Sequence, residues 1–192
     1  MNRLRLLFAF LVSTLVLFPT YVAADDFQKA AKVFRDSPVV APFFKKSYGY
    51  AIFPTIGKGG IGIGGAYGKG QVYVGEKLTG KSSMAQLTIG FQLGGQAYSQ
   101  IIFFEDKRAY DEFTSGNFEF GVGASAVAIT AGAQAQAGTT GAGASASPGG
   151  TAGSQAKIDY HKGMAVFTRA KGGLMYEASI GGQKFSFDKV GK

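Results

Sequence analysis

The sequence predicts an α+β fold: short strands joined by glycine-rich turns, with one amphipathic helix near the N-terminus and a second short helix in mid-chain. Three observations carry this. The 192 residues include 30 glycines and 17 phenylalanines, a composition that favours pleated strands over long helices. Apolar residues alternate with small or polar ones in runs such as Gln71–Val74 and Leu87–Leu93, the period of a strand. Two stretches, Asp26–Asp36 and Glu105–Thr114, repeat apolar residues at helical spacing instead. The length suits one domain with a real core. The chain has no cysteine, which excludes disulfides, thiolate metal sites and a lipidated N-terminal cysteine.

Residues 1–24 read as a signal peptide. Arg3 and Arg5 precede the apolar run Leu6–Phe18, and Val22-Ala23-Ala24 supplies small residues for cleavage after Ala24. The run is shorter than the ~20 residues of a spanning helix, which favours cleavage over a retained anchor. The remaining domain, 25–192, holds eighteen Lys and Arg against twelve Asp and Glu, a formal charge of +6. The expected destination is export, periplasmic in a Gram-negative cell and peripheral to a membrane.

Asp25 or Asp26 can cap a helix that runs to about Asp36. Phe27, Ala30, Ala31 and Phe34 share one face, with Lys29, Lys32 and Arg35 beside or opposite it. Ser37-Pro38 breaks the helix; Val39, Val40, Phe43, Phe44, Lys45 and Lys46 follow. Two readings fit this region. The helix covers the sheet and its cations are solvated, or its apolar residues dip into a bilayer while the cations meet anionic headgroups.

Tyr50–Phe53 suits a buried strand that ends, or reaches a sheet edge, at Pro54. The Gly/Ile alternation at Gly60–Gly64 suits a strand with a bare face against which another backbone packs. Gln71–Val74 resumes the strand. The stretch Gly75–Ser82 fits G-x-x-x-x-G-K-[ST], but a strand rather than a helix follows, so it reads as a polar hairpin loop and not as a phosphate cradle. Gly60-x-Gly62-x-x-Gly65 lacks a βαβ unit and is a coincidence of glycines.

Leu87, Ile89, Phe91 and Leu93 fall on one strand face, and Gly94-Gly95 suggests a bulge. Ile101–Phe104 reads as a central buried strand. The second helix, Glu105–Thr114, stops at Gly116. Phe118, Phe120 and Val122 alternate again, with Ala124, Ala126 and Ala128 in register. About 137–154 is an Ala/Gly/Ser tract with too little apolar surface to order itself, read as a flexible loop. Three strands close the chain, within Lys157–Arg169, at Leu174–Ile180 and at Gln183–Phe187, the last two joined by a Gly181-Gly182 turn.

No catalytic constellation stands out. His161 is the single histidine, so a zinc site or a Ser-His pair has no support, and no cofactor or metal is implied. The charge would permit nucleic-acid binding, but the lysines are dispersed and export argues against it. A transmembrane barrel needs at least about eight strands of some 9–11 residues, and several strands here are too short or glycine-broken.

Taken in order, Ala51–Pro54, the glycine run Lys58–Gly70, Gly90–Gln96, the strand-helix block Ile101–Gly116, Phe118–Gly123 and Arg169–Gly173 resemble the SYLF (Ysc84-type) lipid-binding domain family. The resemblance spans Asp26 to Phe187. It implies a strongly twisted, barrel-like antiparallel sheet with flanking helices, and a non-enzymatic lipid-binding module at an anionic membrane surface. Eukaryotic members are associated with phosphoinositides and actin, and their N-terminal amphipathic segment with phosphoinositide binding. A periplasm offers neither partner, which leaves phosphatidylglycerol, cardiolipin or lipopolysaccharide. The candidate contacts are Phe27, Phe34, Phe43 and Phe44 for apolar insertion. Lys29, Lys32, Arg35, Lys45 and Lys46 would supply attraction, each worth about 1 kcal/mol near such a surface. Lys58 and Lys69 are secondary candidates, whose plainer role is to blunt a sheet edge. The alternative function is contact with another envelope protein, or a structural domain without a lipid ligand.

Overall fold

A computed structural model describes residues 21–90, 95–124, 126–129, 135–136, 160–171 and 180–191. Among them are three helices, α1 (Tyr21–Arg35), α2 (Ala41–Lys46) and α3 (Lys107–Phe113). The strands are β1 (Gly49–Val74), β2 (Lys77–Gly90), β3 (Gln96–Phe104), β4 (Phe118–Glu119), β5 (Val127–Ile129), β6 (Ala135–Gln136), β7 (Met164–Lys171) and β8 (Lys184–Lys189). They form one curled, half-barrel sheet in the order β4-β8-β2-β1-β3-β7-β5-β6. All neighbours pair antiparallel except β5 with β7. The α+β class and the barrel-like sheet are as expected.

The sheet has apolar residues on both faces of its middle. Phe53, Ile56, Val72, Met84, Ile102, Phe104, Phe113 and Phe185 fill the inner side. Phe34, Val40, Tyr50, Ile52, Ile101, Phe103 and Phe167 form the outer cluster beneath α1 and α2. Consecutive apolar residues in Ile101–Phe104 therefore serve both clusters, and β3 is the doubly buried central strand its sequence suggests.

β1 departs from expectation at Pro54. The strand neither ends there nor reaches an edge. The register against β3 shifts between Phe53 and Ile56, so the missing proline N–H falls at a bulge. Ser99 Oγ donates to the Pro54 carbonyl at 2.8 Å. β1 then doubles back on itself. A Cβ placed on Gly68 would lie 2.6 Å from Ile56 Cγ1 and 2.9 Å from the Thr55 oxygen, and one on Gly49 would strike the Tyr73 oxygen. Residues 49–58 thus run antiparallel beside 66–74, reversing near Gly60, whose φ of +150° only glycine readily takes. The close backbone approach inferred from the bare Gly/Ile face is present.

Gly75-Glu76 is a two-residue turn with Gly75 at φ +58°. Lys77–Ser82 is already strand, so the loop is shorter than expected and the phosphate-cradle pattern has no helix. In β2 the face that carries Leu87 turns outward. Met84 and Gln86 are buried, while Leu87 is 87 % exposed. Gln86 Nε2 donates to the Gly181 carbonyl at 2.9 Å, which holds the polar residue inside. After α3, whose N-terminus is capped by Asp106 accepting from the Ala109 N–H at 2.8 Å, Phe118–Glu119 is strand and the next strand begins only at Val127. The chain turns at Val122-Gly123, so the Phe118–Ala128 alternation is not one strand. β7 and β8 lie close to their expected positions.

At the other end, α1 begins at Tyr21, before the expected caps, so Asp25 and Asp26 lie inside the helix. Cleavage after Ala24 would leave both in its first turn, where carboxylates favour the helix dipole. α2 was not expected; Pro42 starts it and Phe43 and Phe44 hold it down. Most of the leader, Phe91, Leu93 and Gly94, the 137–154 tract and Leu174–Ser179 lie outside the described residues.

Candidate membrane-binding surface

Three of the five expected cations are on α1. Its apolar stripe turns toward the sheet, leaving Ala30 and Phe34 buried and Phe27 half-buried. A groove of about 600 Å³ remains between helix and sheet, lined by Phe27, Lys32, Arg35, Tyr50, Tyr73 and Glu76 among others. Tyr50 and Tyr73 stack on its floor, with ring centroids 5.1 Å apart. Burial raises both phenol pKa values, and Arg35 partly offsets this at Tyr50.

Each α1 cation already has an acidic partner. Lys29 pairs with Asp25, Lys32 with Asp36 at 2.8 Å, and Arg35 with Glu76 at 3.8 Å. The hydrogen bond from Lys29 to Asp25 raises the lysine pKa. Arg35 also lies 4.8 Å over the Phe44 ring. From Asp25 to Asp36 three cations meet three carboxylates, and the segment is formally neutral. These exposed pairs contribute little to stability, but they cancel much of the field the helix would present to an anionic surface.

Phe34 is wholly buried, and Phe43 and Phe44 pack into the outer cluster. Phe43 meets Phe167 at 4.9 Å and Phe44 meets Phe103 at 4.9 Å. In this docked state Phe34 has no face to offer a bilayer, and the half-buried Phe27, Phe43 and Phe44 are engaged with the protein. The same packing makes Lys45 and Lys46 project from the end of α2. Both are exposed and make no ion pair among the described residues. Lys58 is opposite Gln96 of β3, and Lys69 opposite Ser83 of β2. Since β1 lies inside the sheet order, neither lysine blunts an edge, which corrects that expectation.

The charge is unevenly distributed. Between Ser37 and Phe104 there are six lysines and one acid, Glu76. α3 and its flanks, Glu105 to Glu119, carry five acids and two cations. The excess positive charge therefore lies in the α2 and β1–β2 region and in residues 157–192, which hold seven cations against three acids, rather than in α1. Composition alone hides this; counting charge by segment exposes it.

A family profile described as "Las17-binding protein actin regulator", Ysc84, matches residues 85–190. The chain belongs to the Ysc84 (SYLF) family. It is also 29 % identical over 160 residues to Beta cell expansion factor A of Aeromonas veronii, an alignment covering 82 % of this chain and 52 % of that protein. The chain thus spans about half the length of this Ysc84-type relative. Among the described residues no helix is long and apolar enough to cross a membrane.

Proposed function

We propose that this Ysc84 domain is a non-enzymatic lipid-binding module that associates with an anionic phospholipid surface on the exported side of a membrane. The observation that carries the reading is the run of six lysines against one acid between Ser37 and Phe104. With the α1 cations paired to Asp25, Asp36 and Glu76, attraction falls chiefly to Lys45, Lys46, Lys58 and Lys69. Phe27 and the α1 cations contribute only at the rim of the groove.

The test is co-sedimentation of chain 25–192 with vesicles of graded phosphatidylglycerol content at low and high salt. Binding should rise with anionic lipid and fall with salt. Lys45→Gln with Lys46→Gln should weaken binding roughly tenfold or more, at about 1 kcal/mol per lysine. Removing two α1 pairs whole, Lys29→Gln with Asp25→Asn and Lys32→Gln with Asp36→Asn, leaves the formal charge unchanged and should weaken it much less. Absence of binding to any anionic vesicle would overturn the reading.

A further inference from the structure

The outer face of the sheet runs beyond the cover of α1. Tyr73 lies beneath the helix, stacked on Tyr50. Because side chains alternate along a strand, Gln71, Lys69, Tyr67, Gly65 and Ile63 continue that same face outward. Opposite Gln71, Lys69, Tyr67 and Gly65 in register are Lys81, Ser83, Ala85 and Leu87 of β2. Ile63 is 75 % exposed, Tyr67 54 % and Leu87 87 %, and Ala85 is exposed too. Scattered apolar residues at a surface mean nothing, but these are cross-strand neighbours on one face, at the tip of one strand pair.

The outward leucine is not a register slip. Ser82 Oγ donates to the Ser186 carbonyl at 2.7 Å, and Gln86 is held inside by Gly181. A one-residue shift would break both and expel Met84. The chain thus fixes polar groups inward and aliphatic groups outward.

Residues line up by polarity along this face. Ile63 to Tyr67 covers about 13 Å, and Lys69 follows about 7 Å behind, at roughly 3.3 Å per residue. Aliphatic tip, then a tyrosine, then lysines matches hydrocarbon, interface and headgroup phosphate in sequence. No acid occurs from Gly57 to Val74 or from Lys77 to Phe104. A second copy would bring like charge against like, which disfavours self-association and leaves an anionic bilayer as the complementary occupant.

We propose that the tip of the β1–β2 pair inserts Ile63, Tyr67 and Leu87 shallowly into an anionic bilayer, while Lys69 and Lys81 engage lipid phosphates. This rests on the membrane reading above and assigns its apolar contact to the sheet rather than to α1. The strands stay paired, so their backbone groups need no lipid partner.

The chain has no tryptophan, so Tyr67→Trp is a single reporter. With phosphatidylglycerol/phosphatidylcholine vesicles its emission should shift to the blue and be quenched by brominated acyl chains. Ile63→Ser, Tyr67→Ser and Leu87→Ser combined should weaken vesicle binding roughly a hundredfold with an unchanged circular dichroism spectrum and unfolding midpoint. If the parent binds while the triple variant binds equally well, or the reporter is unquenched, the tip is not the inserting surface and the membrane reading survives. If the parent binds no vesicle, the membrane reading falls and this inference with it. A dimer in sedimentation velocity that the triple variant abolishes would instead make this face an interface between copies, overturning the inference.

Discussion

Phe34→Ala tests whether α1 is seated on the sheet. Phe34 has no exposed surface and belongs to the outer cluster with Tyr50, Ile52, Ile101 and Phe103. Burying roughly 150–200 Å² at about 25 cal/mol per Å² gives roughly 4–5 kcal/mol, and truncation of buried phenylalanine to alanine costs about 3–5 kcal/mol. That is a large share of the roughly 5–15 kcal/mol that holds a domain together. The neighbour Val33 is 37 % exposed, so Val33→Ala should stay within about 0.5 kcal/mol. Urea unfolding reads the global effect, and amide exchange resolved along α1 reads the local one. The expected result is a loss of at least 3 kcal/mol in one or both, with α1 amides losing about a hundredfold or more of their protection. A loss below about 1 kcal/mol, or α1 amides that exchange freely in the parent chain, would refute the docked helix. Phe34 would then be free for the bilayer.

Gly70→Ala should destabilise by about 1–3 kcal/mol, because its Cβ would lie 2.6 Å from Phe53 Cδ1; Gly57→Ala, with nothing within 4 Å, should be neutral in the same thermal melts. Gln183 bridges Gln100 and the Tyr98 hydroxyl inside the sheet, at 2.8 and 3.2 Å. Gln183→Leu would strand Gln100 and should cost about 1–3 kcal/mol in urea titrations. Burial raises the Tyr98 pKa far above its ordinary 10.0. The folded state therefore keeps a proton that the unfolded state releases above pH 10, so stability holds below that pH and declines as pH climbs further. Tyr98→Phe should flatten this decline in alkaline unfolding curves. An unchanged slope would place the effect on other tyrosines.

Legibility followed the physical signal. Ile101–Phe104 was readable because a run apolar at every position can be satisfied only between two layers. α3 was readable from its spacing and from Gly116, which takes φ +91° just past the helix. The α1 stripe predicted a buried face but could not say whether protein or lipid buries it; Phe34, Ile52 and Phe103 settle that for the docked state. The pairing of Lys29, Lys32 and Arg35 with carboxylates lay in the i,i+4 spacings of Asp25–Lys29 and Lys32–Asp36, but the Glu76 partner is distant in sequence. Which face of β2 turns inward is not legible in the sequence, because alternation gives a period without a direction. Only the long-range bonds of Ser82 and Gln86 choose which side faces in.

The pairing of β2 with β8 bears on how the chain acquires its structure in time. Ser82 and Ser186 are 104 residues apart, and Phe185 joins the inner cluster only when β8 is in place. Until residues 184–189 are available, β2 has an open edge and the inner side lacks one of its largest rings. Such distant pairings close slowly. The edge of β2 and the inner cluster therefore close together, in the one step that brings β8 alongside β2.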